Sequence, residues 1–133
     1  MKIALCASMA FAQEMIEIKN ELKELGHEVI IQQDIESHAK GVIKEGEKWD
    51  KIIIDPFKTY FEEIRKCDAI LVINKNKNGI VGYIGGNTLI EMAFAYILNK
   101  KIFLLNQIPE MHYRDEITYM KPIIVNANLS KLI

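Results

Sequence analysis

Five short, continuously apolar runs constrain this chain more than any other feature: Ile3 to Ala7, Val29 to Ile31, Ala69 to Ile73, Ile102 to Leu105 and Ile123 to Val125. A run that is apolar at successive positions suits a strand buried on both faces, as in a parallel sheet. Parallel strands need crossover connections, and the intervening segments have helical character. From about Ala10 to Leu25 the apolar residues Phe11, Met15, Ile18, Leu22 and Leu25 keep helical spacing, and Gly26 stops the helix. Asp55-Pro56 reads as an N-cap followed by proline in the first helical turn, opening a helix through Phe57, Phe61 and Ile64 to about Lys66. Thr88 is expected to begin a further helix running to about Leu98, and a short one is expected from about Arg114 to Met120. The polar stretch from Asp34 to Asp55, with Trp49, reads as one or two short helices, and Lys51 to Ile54 suits either a strand or a helical turn. The expected architecture is a single α/β domain over residues 1–133, a doubly wound five-stranded parallel sheet of flavodoxin-like, Rossmann-like order 2-1-3-4-5.

Charge narrows the partners. Lys plus Arg number 17 against 18 Asp plus Glu, a net charge of −1 that gives no electrostatic reason to expect a nucleic-acid or membrane partner. The opening strand pattern is too short for a signal-peptide core, so a cytoplasmic home is expected. Cys6 lies within an apolar run and Cys67 just ahead of one, and both read as buried thiols. His27, His38 and His112 have no metal-ligand partner at useful spacing, so neither metal nor cofactor is expected.

An open parallel sheet binds ligands outside the carboxyl ends of its strands, near the point where strand order reverses. That rule collects Ser8 and Met9 after the first strand, Asp34 after the second and Asn74 after the third. It also collects Tyr83 and Gly85-Gly86-Asn87-Thr88-Leu89-Ile90-Glu91 beyond the third-strand loop. Gly85-Gly86 before a helix lets backbone approach a ligand, and the helix start favours an anion. The Lys75 to Asn78 run is most simply a solvated loop. Glu91 has two readings. Thr88 to Glu91 has the spacing of a capping box, in which the carboxylate serves its own helix start, and pattern alone favours that. In the other reading Glu91 faces the cleft, kept ionised by the helix N-terminus and available as a nucleophile.

On these residues the chain resembles the nucleoside 2-deoxyribosyltransferase-like superfamily, which includes the 2′-deoxynucleoside 5′-phosphate N-hydrolases. The resemblance lies in the strand ending at Ala7-Ser8, the strand Asp68-Ala69-Ile70-Leu71-Val72 and the Thr-x-x-Glu at a helix start. Gly85 to Glu91 also echoes, with one glycine missing, the Gly-Gly-x-Gly-Thr-x-x-Glu of the lysine-decarboxylase-like nucleotide phosphoribohydrolases. The resemblance implies cleavage or transfer at the N-glycosidic bond of a nucleoside or nucleoside 5′-monophosphate. Glu91 would be the nucleophile on C1′, with Ser8 and the backbone around Gly86 holding the sugar or 5′-phosphate. It also implies a homo-oligomer. The transferases carry Asp-Pro-Gly-Thr before their Glu, and that Asp assists the leaving base. Here the place reads Gly85-Gly86-Asn87-Thr88, which leaves Asp34, Asn74 or Tyr83 to substitute. The competing reading is a non-catalytic nucleotide-binding or sensor domain that retains the pocket.

Overall fold

The computed structural model describes residues 1–32 and 55–133. The expectations for Asp34, His38, Trp49 and Lys51 to Ile54 lie outside the described residues.

The apolar runs form the strands β1 (Lys2–Cys6), β2 (Glu28–Ile30), β3 (Ala69–Val72), β4 (Lys101–Leu104) and β5 (Ile123–Ile124). All neighbouring pairs are parallel, and the order is β2-β1-β3-β4-β5, the doubly wound arrangement. The register aligns Ile3 with Val29 on one side and with Ala69 on the other, and Leu71 with Phe103.

Strand side chains alternate between two faces, and each face has its own core. Ile3, Leu5, Leu71 and Phe103 point to one side. Helix α1 (Ala12–Glu24) covers them with Met15, Ile18 and Leu22, joined by Leu129 and Leu132 near the end of the chain. Ala4, Cys6, Ile70, Val72 and Leu104 point to the other side. There they meet Tyr60 and Ile64 of α2 (Pro56–Arg65), Met92 and Ala95 of α3 (Gly86–Ile97), and Ile117 of α4 (Arg114–Tyr119). Burial on both faces is why these strands carry continuous apolar runs rather than alternating ones. Among the described residues no helix is long and apolar enough to cross a membrane.

The helix ends follow local chemistry. Gly26, at φ +94°, ends α1: its N–H reaches the Lys23 carbonyl at 3.0 Å and the His27 N–H the Leu22 carbonyl at 3.0 Å. This is the double bond pattern of a left-handed helix cap. Asp55 caps α2 by accepting from the Lys58 N–H at 3.0 Å, with Pro56 in the first position. The first helical stretch does not begin as one α-helix at Ala10. A 3-10 turn, Met9–Phe11, leads into α1, and Ser8 caps that turn.

The third helix corrects the sequence reading. It begins at Gly86, and Gly85, not Thr88, is its N-cap. Gly85 is extended (φ −77°, ψ 169°), and its carbonyl already accepts from the Leu89 N–H at 3.0 Å. Two glycines carry no side chain to cap the helix, and that absence hid the start in the sequence. Thr88 is instead the third helical residue and is buried.

Candidate active site

The position of Glu91 speaks against the capping-box reading. With Gly85 as the cap, Glu91 is six residues into the chain from the cap and lies in the second turn, beyond the spacing of a capping box. Its Oε2 accepts a hydrogen bond from Gln32 Nε2 at 2.8 Å, and Gln32 stands two residues past the end of β2. The Cys6 thiol, at the last residue of β1, lies near enough to Glu91 for the two to interact electrostatically. A donor just past the end of β2 therefore holds the carboxylate at the carboxyl edge of the sheet, beside the end of β1, where ligands of this fold class bind. Glu91 is only 5% exposed. A carboxylate this buried needs such a donor to be tolerable.

Cys6 is thus more than a core hydrophobe. Burial pushes its thiol well above the ordinary range, and the nearby Glu91 carboxylate adds to the rise. Tyr60 lies beneath, its hydroxyl donating to the Leu5 carbonyl at 2.5 Å and approaching the Ile30 carbonyl at 3.2 Å. Its phenol is also raised, by burial first and then by the charges of Cys6 and Glu91. Both groups stay neutral in the fold at pH values where the unfolded chain titrates. Their stabilising contribution is complete below the unfolded pKa and is lost as pH rises toward the folded one. Urea unfolding at increasing pH should show stability falling from about pH 8.5 upward. A Cys6→Ala chain should lose part of that slope, and an unchanged slope would remove Cys6 from the account.

A second group assembles around Ser8. Its Oγ accepts from the Ala10 N–H at 3.3 Å and contacts Lys77 Nζ at 3.1 Å. Lys77 also stands 5.2 Å above the centroid of the Tyr83 ring. The Lys75 to Asn78 run is not simply a solvated loop, because Lys77 is half-buried. Lys77 and Ile80 exchange backbone hydrogen bonds at 3.1 and 2.9 Å around Asn78-Gly79, both at positive φ. That is a two-residue hairpin of the kind Asn-Gly favours, and it holds Lys77 over Ser8. The Asn78-Gly79 pair was the available signal for it. Met9 follows Ser8 in the 3-10 turn and packs partly against the core.

The loop itself is braced by Asn74. Its Nδ2 points to the carbonyls of Gly82, Asn106 and Gln107 at 3.3, 3.1 and 2.9 Å, and its Oδ1 accepts from the Asn106 N–H at 2.9 Å. The residue is fully buried. Both polar ends of the side chain are engaged with backbone, so its evident task is to shape the loop. Tyr83 continues from that loop, its ring 3.5 Å from where a Cβ on Gly85 would stand. Gly86 faces open space, and Asn87 beside it is exposed. The first amides of α3 have no side-chain cap and remain available to an anion.

A cavity of about 330 Å³ opens between the end of β2 and α2, lined by Ile30, Gln32, Thr59, Tyr60 and Glu63 among others. Its size is in the range that holds small molecules. Glu91 does not line it. Gln32 is the residue common to the cavity and the carboxylate. Among the described residues no cluster of three or more His, Cys, Asp or Glu side chains could hold a metal ion.

The fold and site define an α/β domain with a doubly wound parallel sheet and a buried, donor-held carboxylate at its carboxyl edge. The sequence matches no protein-family model and no curated protein. The structure is similar to that of the Clostridium botulinum CMP N-glycosidase BcmB, with a TM-score of 0.54 and 18% sequence identity, covering 95% of this chain and 90% of that one. At that identity the likeness concerns the fold.

Proposed function

We propose that the protein cleaves the N-glycosidic bond of a nucleoside 5′-monophosphate, with Glu91 as the nucleophile. The observation that carries the reading is the Glu91 carboxylate, held by Gln32 at the sheet's carboxyl edge with the Cys6 thiol nearby, and six residues past the cap of its own helix. The similarity in fold to a CMP N-glycosidase and the resemblance of the motif around Gly85 to Glu91 agree with it.

In this mechanism a Glu91 oxygen bonds to C1′ as the C1′–N bond breaks, through an oxocarbenium-like state that negative charge stabilises. The bonding pair leaves with the base, which takes up a proton. Water then attacks C1′, releasing the sugar phosphate and restoring the carboxylate. A second nucleoside base in place of water would make the same site a transferase.

Ser8 and Lys77 take the 5′-phosphate, with the Gly85-Gly86 helix start flanking the sugar. The Cα of Ser8 is two residues from that of Cys6, hence at most about 7 Å away. That is a reach suited to a phosphate when C1′ sits at Glu91. An ammonium beside a hydroxyl suits a phosphate dianion. Lys77→Met should therefore lower kcat/KM for a nucleoside 5′-monophosphate by about tenfold or more while leaving the free nucleoside within about twofold. Equal losses on both would remove Lys77 from phosphate binding.

Gly85, standing where the transferases have Asp, favours a second reading, a nucleotide-binding domain without turnover. One experiment separates the two. The protein is incubated with nucleosides and their 5′-monophosphates, free base is followed by chromatography, and thermal stabilisation is measured in parallel. Base release supports the glycosidase. Stabilisation by nucleotides without base release supports the binding domain.

A further inference from the structure

Gln32 is only half satisfied. Its Nε2 donates to Glu91 Oε2, while its Oε1 is buried and has no hydrogen-bond partner among the described residues. The orientation of the amide is set by chemistry, because a carboxylate oxygen takes the N–H end of an amide. A buried acceptor left alone is unfavourable until some donor reaches it. The position of this one restricts which donor that can be.

An amide's nitrogen and oxygen are about 2.3 Å apart, so Oε1 lies no more than about 5 Å from Glu91 Oε2. If Glu91 attacks C1′, the oxygen of Gln32 is beside C1′ on the face from which the attack comes. In a β-nucleoside the base departs from the opposite face, which removes its amino groups from reach. The hydroxyl on C2′ of a ribose is trans to the base. It lies on the attacked face, on the carbon next to the reacting one. Hydrogen bonds to that hydroxyl are a recurrent source of transition-state stabilisation in glycoside cleavage.

We propose that Gln32 Oε1 accepts a hydrogen bond from the ribose 2′-hydroxyl, so that the protein selects ribonucleotides over 2′-deoxyribonucleotides. The inference rests on Glu91 being the attacking group, as proposed above. It makes Gln32 a bifunctional amide: one end positions the nucleophile and the other reads the sugar. A 2′-deoxyribose leaves Oε1 unpaired, and an arabinose places its hydroxyl on the wrong face.

The test uses the whole protein, wild type and Gln32→Met, with the four common ribonucleoside 5′-monophosphates and their 2′-deoxy counterparts. The arabinose epimers of the cytidine and adenosine nucleotides complete the series, and all of these sugars keep the 3′-hydroxyl. Affinity and the rate of base release are both measured. The wild type should bind its preferred ribonucleotide about tenfold or more tighter than the deoxy and arabino forms. In Gln32→Met the three sugars should converge to within about twofold, with cooperative melting retained. Loss of Glu91 support alone would slow all three sugars by one factor and leave the ratio standing, which would overturn the proposal. A wild type that ranks ribose and arabinose equally would also overturn it, and this comparison needs no variant. Ribose-selective binding without base release would count against the glycosidase and leave the Gln32 contact in place. Base release with equal ranking would overturn Gln32 alone, and no binding by any nucleotide would overturn both.

Discussion

Glu91→Gln should lower base release by about four orders of magnitude, the scale on which removal of a nucleophile acts. It should also leave the melting temperature within a few degrees. Glutamine keeps the size of the side chain, and its amide oxygen can still accept from Gln32 Nε2, but it cannot form the bond to C1′. Glu91→Ala is a poorer probe. It leaves the Gln32 amide without its acceptor in a buried place, and an unpaired buried donor destabilises a fold by about 1–3 kcal/mol. The measurement is free base by chromatography alongside a thermal melt. Turnover by Glu91→Gln within tenfold of the native rate would sink the nucleophile assignment, whatever the fold does.

Gly82→Ala should give the largest loss of stability of any glycine substitution among the described residues. Gly82 has φ +71°, and a Cβ there would stand 2.6 Å from the Gln107 carbonyl oxygen and 3.3 Å from Asn74 Nδ2. The left-handed backbone alone disfavours alanine by about 1–2 kcal/mol. The clash falls on backbone, which cannot rotate away, so a total near 3 kcal/mol and a fall in melting temperature of about 10 °C are expected. Gly79 provides the control. Its φ is +75°, but nothing lies within 4 Å of its would-be Cβ. Gly79→Ala should therefore cost only the backbone part. Equal losses at the two positions would show that the approach to Gln107 does not require glycine. The larger loss should also reduce activity, since the loop braced by Asn74 carries Tyr83 to its place against Gly85.

Particular residues show where the sequence was sufficient. The strands at Ile3, Ala69 and Ile102 were legible because burial on both faces demands apolar residues at consecutive positions. Gly26 and Asp55-Pro56 marked helix ends because each supplies a backbone feature that few other residues can. The start of α3 was misplaced by two residues because its cap is a glycine, which leaves no side-chain signature. Lys77 looked like solvent-exposed loop because nothing local says that an Asn-Gly hairpin will fold it over Ser8. Gln32 and Cys6 were not singled out: each is ordinary in its own segment and gains meaning only beside Glu91.

The sequence by itself determined the sheet and its parallel order, because apolar periodicity and helix-ending residues are properties of short segments. Only the tertiary structure decided what surrounds Glu91. Gln32, which donates to it, and Cys6, which lies nearby, come from the ends of different strands, and the hydrogen bonds of a buried carboxylate depend on which chain segments meet in space.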